Sequence, residues 1–256
     1  MKVAQAKFKI LSNTSSGEKY FKLILDAGQI AKQAIPGQFV MVKVSDGISP
    51  LLRRPLGVHR VSGNKLELLY EVVGQGTKTL AQKKPGEYLD LIGPLGNGFI
   101  LKPRPVLIAG GMGVAPLVYL AQKIRGHKPI VFIGAKTKSH ILCEKDFKKL
   151  GLAVKIATDD GSRGFRGRVT DLFKGYLPTI DDRLSVIYAC GPQPMLKEVS
   201  RLSQKCKIDA QLSLEAHMSC GIGACLGCVV ETKFGQKRVC QDGPVFTAAE
   251  IIWRQG

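Results

Sequence analysis

The chain has 256 residues, and its 38 Lys and Arg against 20 Asp and Glu give a formal net charge of +18. A hydrophobic content of 45% excludes wholesale disorder, and the length favours one large domain or two, with room for a small appendage. There is no apolar run long enough to span a membrane and no signal-peptide core, so we expect a cytoplasmic protein with no membrane partner. Because Lys and Arg are scattered rather than clustered, no nucleic-acid partner is predicted.

The first hundred residues carry short alternating or β-branched runs separated by turn residues. This pattern is typical of a small antiparallel β-barrel or sandwich. The turn-rich stretch Gly93–Gly98 marks the end of this unit, which we place at residues 1–101. The predicted strands are Val3–Ile10, Tyr20–Asp26, Phe39–Val44, Val58–Val61 and Leu66–Val73.

Residues 102–209 then alternate strand and helix patterns, which favours a parallel sheet covered by helices. Ala210–Leu214 is predicted as an added edge strand. The remaining part of a C-terminal unit at residues 210–256 is too short to bury a core of its own. The predicted strands are Val106–Ala109, Ile130–Gly134, Val154–Thr158 and Leu184–Ala189, and the predicted helices include Leu117–Ile124, Glu144–Leu150, Val169–Phe173 and Met195–Cys206.

Two glycine-containing turns each follow a predicted strand and open a predicted helix. The first contains Gly110, Gly111 and Gly113, and the second contains Cys190, Gly191 and Pro192. Backbone N–H groups at such turns bind diphosphates, and both turns should lie at the carboxyl edge of the parallel sheet, where ligands of such sheets bind. Together they predict a dinucleotide site, although each turn taken alone also fits a tight strand–helix connection.

Four of the seven cysteines lie close together near the C-terminus, as Cys220-x4-Cys225-x2-Cys228-x11-Cys240. This is the plant-type [2Fe–2S] spacing, in which one tight loop supplies three thiolates and a separate segment supplies the fourth. The small residues between the ligands let backbone N–H groups approach the cluster. Structural zinc is the alternative, although zinc sites usually present two short cysteine pairs.

The order of these parts resembles the ferredoxin–NADP reductase superfamily over essentially the whole chain. The details are most similar to one branch, the electron-transfer subunit of type B, NAD-dependent dihydroorotate dehydrogenase. The stretches that carry the resemblance are Pro36-Gly37-Gln38-Phe39, Arg53-Arg54-Pro55-Leu56, Gly76-Thr77, Gly93–Phe99, Asp160-Gly161-Ser162, Cys220–Cys228 and Val239–Phe246.

The resemblance implies a set of FAD-binding residues, in which Gly57 stands where the family usually has Ser and Glu71 where a basic residue is common. It also implies a partner, an FMN-containing catalytic subunit that oxidises dihydroorotate, in a heterotetramer of two subunits of each kind. Electrons would pass through [2Fe–2S] and FAD to NAD⁺, and no residue of this chain would act as a catalytic acid or base. The implied FAD-binding residues are Arg54, Pro55, Leu56, Gly57, Leu69, Tyr70, Glu71, Gly76 and Thr77.

Three questions stay open at this point. The same parts fit the reductase subunit of a hydrogenase, a sulfide dehydrogenase or a transhydrogenase. A basic nucleic-acid-binding module with a structural metal is a hypothesis of another class, which predicts a colourless protein. Lys136 and Lys138 follow the second strand of the sheet, where lysines can meet a 2′-phosphate, so NADP is the alternative to NAD.

Overall fold

The N-terminal part is a closed six-stranded antiparallel barrel with strand order β1-β2-β5-β4-β3-β6. Our computed structural model describes residues 3–179 and 185–253. Buried and exposed residues alternate at the start of β1, because successive side chains of a strand point to opposite faces. The strands are β1 Ala4–Ser15, β2 Tyr20–Asp26, β3 Phe39–Lys43, β4 Arg54–Ser62, β5 Lys65–Glu71 and β6 Tyr88–Leu95, with helices α1 Gly28–Ala31 and α2 Gln75–Ala81.

The second part is a seven-stranded sheet with order β10-β9-β8-β7-β11-β12-β15, parallel except for the last strand, and a two-stranded hairpin β13–β14 lies apart from it. Every residue of β7 and of β11 is buried, since helices cover both faces of the sheet. The strands are β7 Pro105–Gly110, β8 Ile130–Ala135, β9 Val154–Thr158, β10 Phe165–Arg166, β11 Val186–Cys190, β12 Asp209–Ser213, β13 Val229–Thr232, β14 Gly235–Arg238 and β15 Val245–Thr247.

In the described part of the chain, four helices pack on this sheet: α3 Val114–Ile124, α4 Glu144–Lys149, α5 Val169–Tyr176 and α6 Gln193–Lys205. Short 3₁₀ turns occur at Gly111–Gly113, Arg125–His127, Lys138–His140 and Leu177–Thr179. Within the described ranges no helix is both long enough and apolar enough to cross a membrane. The predicted architecture of a β-barrel followed by a parallel α/β unit is confirmed.

The prediction that Ala210–Leu214 forms an edge strand is wrong. β12 lies between β11 and β15, because Val245–Thr247 returns from the C-terminal segment and pairs with it antiparallel. β12 begins at Asp209, so the sheet continues across the expected boundary between residues 209 and 210. The predicted strand at Leu184–Ala189 is observed as β11, and Leu184 itself lies outside the described residues.

The C-terminal segment shares its core with the other two parts. One buried cluster joins Met41 of the barrel, Leu212 of the sheet and Cys228, Val239 and Cys240 of the segment. Two other clusters fill the barrel and the face of the sheet under α3. A segment this short does not bury enough apolar surface by itself, and the shared cluster supplies the missing burial.

Candidate cofactor sites

Three of the stretches that carry the family resemblance interlock between the barrel and the C-terminal segment. The buried Gln38 donates from Nε2 to the carbonyl oxygen of Gly96 at 2.7 Å. Asn97 donates from its backbone to the carbonyl of Gly243 at 2.6 Å and from Nδ2 to that of Asp242 at 3.0 Å. Gly96 has a φ of +73°, and a Cβ there would lie 2.6 Å from the Gly243 oxygen. These contacts therefore fix the position of the C-terminal segment against the barrel.

A cleft of about 550 Å³ opens where the barrel, the two strand–helix turns and the C-terminal segment meet. A cleft of this size lies within the range of cofactor-binding sites. The barrel, the turns and the segment all contribute residues to its wall. The lining residues are Gly37, Phe39, Arg54, Pro55, Leu56, Gly57, Leu69, Tyr70, Glu71, Val73, Thr77, Met112, Ala115, Pro116, Cys190, Ser213, Leu214, Glu215, Ala216, His217, Met218 and Pro244.

Arg54 is the cleft residue best suited to an anionic cofactor. Its Nη1 donates to the carbonyl oxygen of Leu52, and no acceptor for its Nε or Nη2 is found among residues 3–179 and 185–253. The guanidinium lies directly over Gly76, where a Cβ would come within 2.1 Å of Nε. Gly76 therefore makes room for Arg54, whose free fork of donors matches the geometry of a phosphate. The neighbouring Arg53 points elsewhere and pairs with Asp90 at 2.8 Å.

The other polar side chains expected to bind FAD already have partners within the protein. Thr77 accepts from the backbone N–H groups of Val73 and Gly74. Glu71 pairs with Lys19 at 2.5 Å. Tyr70 donates to Asn13 at 3.0 Å, and burial raises the pKa of its phenol to about 12. These side chains therefore shape the wall of the cleft, and Tyr70 contributes a phenol that stays neutral.

The two glycine turns meet at the carboxyl edge of the sheet, which confirms that part of the prediction. β7 and β11 are adjacent and parallel, with Ala109 opposite Cys190. A Cβ on Gly113 would lie 2.2 Å from the Cys190 oxygen, and one on Gly110 would lie 2.7 Å from Sδ of Met195. The absence of side chains at these glycines therefore lets the turns touch. Cys190 is buried, and this burial raises the pKa of its thiol to about 12, so it is an uncharged wall of the cleft.

The cysteine loop aims backbone N–H groups at its sulfurs. Gly223 donates to Sγ of Cys240 at 3.1 Å, and the Cys225 N–H donates to Sγ of Cys220 at 3.4 Å. Burial acts to raise the pKa of Cys220, but N–H groups of Ile222, Cys225 and Ala224 outweigh it and lower this pKa to about 6. Donors arranged in this way favour thiolates and stabilise a cluster that gains negative charge on reduction.

The spacing of the four sulfurs distinguishes two metal centres. A tetrahedral zinc ion would bring all four sulfurs to about 3.8 Å from one another, as follows from zinc–sulfur bonds of about 2.3 Å. No three of Cys220, Cys225, Cys228 and Cys240 have sulfurs that all lie within 4.8 Å of one another. A two-iron cluster needs only pairs of neighbouring sulfurs, so this wider arrangement fits [2Fe–2S] better than zinc.

Sequence reasoning missed two groups of residues around these sites. Arg238 clamps the cysteine loop, since it donates to the carbonyl of Gly223 at 3.1 Å and pairs with Asp242 at 3.3 Å. Ser213, the last residue of β12, and residues 214–218 after it form one wall of the cleft. The sequence could have indicated these residues by their position after a strand of the parallel sheet, because ligands of such sheets bind at the carboxyl ends of the strands.

Comparisons with known proteins agree with this arrangement. A sequence model of the iron–sulfur cluster binding domain of dihydroorotate dehydrogenase B matches residues 215–252, and one of the oxidoreductase NAD-binding domain matches residues 107–201. The dihydroorotate dehydrogenase B (NAD(+)) electron transfer subunit of Desulforamulus reducens is 41% identical, with 96% of this chain and 97% of that one covered. Its counterpart from Caldanaerobacter subterraneus is 40% identical, with 96% and 98% covered.

Solved structures show the same fold. A NADH-dependent reduced ferredoxin-NADP oxidoreductase superposes with a TM-score of 0.86 at 28% identity, over 97% of this chain and 90% of that one. A ferredoxin NADP⁺ reductase from Neisseria gonorrhoeae shares the fold with a TM-score of 0.66 at 16% identity, over 78% and 91% of the two chains. Fold and domains together define an oxidoreductase of the ferredoxin reductase type with an added iron–sulfur domain. Within this class, the chain belongs to the family of dihydroorotate dehydrogenase B electron transfer subunits.

Proposed function

We propose that this chain passes electrons from the FMN of a catalytic dihydroorotate dehydrogenase subunit, through a [2Fe–2S] cluster and FAD, to NAD⁺ in pyrimidine (UMP) biosynthesis. Membership of the electron transfer subunit family supports this function. The observation that carries it is the common cleft, whose walls come from the barrel, from both nucleotide turns and from the cysteine-bearing segment. A flavin held in this cleft would lie between the segment that carries the one-electron centre and the turns that would bind the hydride acceptor. A flavin is the cofactor that exchanges single electrons with the first and a hydride with the second.

We assign the three cofactors to the residues that surround each site. In our assignment residues 1–101 bind FAD, residues 102–209 bind NAD and residues 210–256 hold the cluster. The last unit also contributes strands to the sheet. Arg54 binds the FAD diphosphate, and the buried wall at Tyr70 and Cys190 excludes water from the flavin. The full assignment for FAD is Arg54, Pro55, Leu56, Gly57, Leu69, Tyr70, Glu71, Gly76 and Thr77; for NAD it is Gly110, Gly111, Gly113, Cys190, Gly191 and Pro192; for the cluster it is Cys220, Cys225, Cys228 and Cys240.

We infer that the partner docks on the tip of the cysteine loop. Ile222 and Leu226 are 54% and 63% exposed although both are large and apolar, and Cys225 beside them is also exposed. Exposed apolar side chains around a redox centre favour docking that brings a second redox centre close. In our proposal the partner is the FMN-containing catalytic subunit, in a heterotetramer of two subunits of each kind in the cytoplasm.

Reconstitution tests the function. The purified chain should be brown-yellow, should reduce an artificial acceptor with NADH and should not oxidise dihydroorotate. Addition of the FMN-containing catalytic subunit from the same organism should produce NAD⁺-dependent orotate formation. If the mixture forms no orotate while each subunit keeps its own flavin and its own partial reaction, the proposed partner is wrong. Coupling of NADH to ferredoxin and NADP⁺ in its place would assign the chain to a transhydrogenase-type complex.

A further inference from the structure

A trio of metal-ligating side chains lies away from the cofactor sites, between the barrel and the nucleotide-binding sheet. His59 comes from β4 of the barrel, and Cys143 and Asp146 come from the start of α4. One ligand atom from each of these three residues lies within 4.8 Å of the other two. Among residues 3–179 and 185–253 no other trio of His, Cys, Asp or Glu side chains meets this condition.

His59 is oriented as a metal ligand would be. It is fully buried, and its Nδ1 lies 2.8 Å from the carbonyl oxygen of Ala115. A carbonyl only accepts, so Nδ1 carries the proton and Nε2 presents a lone pair. Nε2 is buried and has no hydrogen-bond partner in the protein. Hydrogen bonding of one ring nitrogen to a backbone carbonyl is the usual support for a metal-bound histidine, and an orphaned buried nitrogen is costly otherwise.

The other two groups complete a donor set around this nitrogen. Cys143 has a φ of +59°, a conformation that costs free energy in residues other than glycine, and it is held there at the start of α4. Asp146, one turn further on, pairs through Oδ1 with Arg60 at 2.7 Å. A carboxylate has lone pairs on both oxygens, so this ion pair leaves acceptor capacity toward the trio. Beside the larger effect of burial, Lys22 and Arg60 both act electrostatically to lower the pKa of His59 and of Cys143, so positive charge lies near the negative charge of Asp146.

We propose that His59 Nε2, Cys143 Sγ and the Asp146 carboxylate bind a zinc ion that fastens the FAD barrel to the nucleotide-binding domain. Nitrogen, sulfur and oxygen donors of these types are the ligands of Zn²⁺, and three protein ligands leave a fourth position for water. When the ion binds, the Cys143 thiol releases its proton to solvent and a zinc–sulfur bond forms. The thiolate and the carboxylate then both carry negative charge next to the metal, and Asp146 keeps Arg60 as a second partner. This site is independent of the electron-transfer function.

The test uses the complete protein with FAD and cluster bound. The protein is incubated with a small excess of Zn²⁺ and desalted, and its zinc, iron and flavin are then measured. We expect about one zinc ion per chain in the wild type. In His59→Gln and Cys143→Ser the zinc affinity should fall by at least ~10-fold, because loss of a group that supports a metal ligand already costs that much. Cys206→Ser, which removes an exposed thiol outside the trio, is the matched control and should retain zinc. Unchanged iron and flavin contents show that each variant folds.

X-ray absorption at the zinc edge of the wild type tests the donors without any variant. We expect one sulfur and several nitrogen or oxygen neighbours at zinc. A shell of four sulfurs would mean that zinc has replaced the cluster at Cys220–Cys240, and this would overturn the proposal. It would also be overturned if desalting removed all zinc from the wild type, or if both ligand variants kept as much zinc as Cys206→Ser.

Discussion

Substitution of Gly113 by alanine tests the contact on which the nucleotide site depends. The added Cβ would meet three backbone atoms, namely the Cys190 oxygen at 2.2 Å, the Cys190 carbon at 2.3 Å and the Gly191 nitrogen at 2.5 Å. Real Cβ contacts essentially never fall below 3.0 Å, so the turns after β7 and β11 must separate by at least 0.8 Å. Because all three atoms belong to the backbone, no side-chain rotation relieves the clash.

The separation should cost both stability and activity. Overpacking of this kind destabilises proteins by about 1–3 kcal/mol, measurable as a lower urea midpoint with an unchanged slope. A displacement near 1 Å at a substrate site reduces turnover by roughly 100-fold, so kcat/KM for NADH with an artificial acceptor should fall by about that factor.

Gly126→Ala is the matched control, since nothing lies within 4 Å of a Cβ at that position. It should behave as the wild type in both assays. If Gly113→Ala matched this control in urea midpoint and in kcat/KM for NADH, the two turns could not be in contact as described.

Three further substitutions test the FAD and cluster sites. Arg54→Gln should weaken FAD binding by roughly 10- to 100-fold in a flavin fluorescence titration, because a charged hydrogen bond is worth about 1.5–3 kcal/mol; Arg53→Gln, which loses only the pair with Asp90, should not. Gly57→Ser restores the hydroxyl usual in the family. A Cβ at this position meets a single atom, at 3.9 Å, so the variant should fold normally. It should also bind FAD more tightly in the same titration. Weaker binding would show that the hydroxyl cannot reach the flavin. Cys225→Ser should abolish orotate formation with the partner but keep the NADH reaction with an artificial acceptor. Equal orotate formation by this variant and by the control Cys206→Ser would show that the cluster lies elsewhere.

Local sequence patterns indicate much of the proposed site. The spacing of the four cysteines and the glycines of the two turns lie within short segments, and their chemistry depends on neighbours along the chain. The sequence also predicted that both turns lie at the carboxyl edge of the sheet, because parallel strands all end at that edge. Only the tertiary structure brings the two turns into contact, because β11 pairs directly with β7 although β8, β9 and β10 lie between them in the chain. Arg54 could be selected only by resemblance, since Arg53 beside it has the same chemistry and differs only in its contact with Asp90.

The sequence alone determined the order of barrel, parallel sheet and cysteine-rich segment, and it determined the two kinds of ligand-binding loop. The tertiary structure decided that β15 returns to pair with β12 and that residues 213–218 form a wall of the cleft that we assign to FAD. It also decided that His59 of the barrel lies close to Cys143 of the other domain. The physical reason is distance along the chain. Periodicity and loop spacing record interactions between near neighbours, whereas these pairings join residues tens of positions apart and depend on how whole units pack.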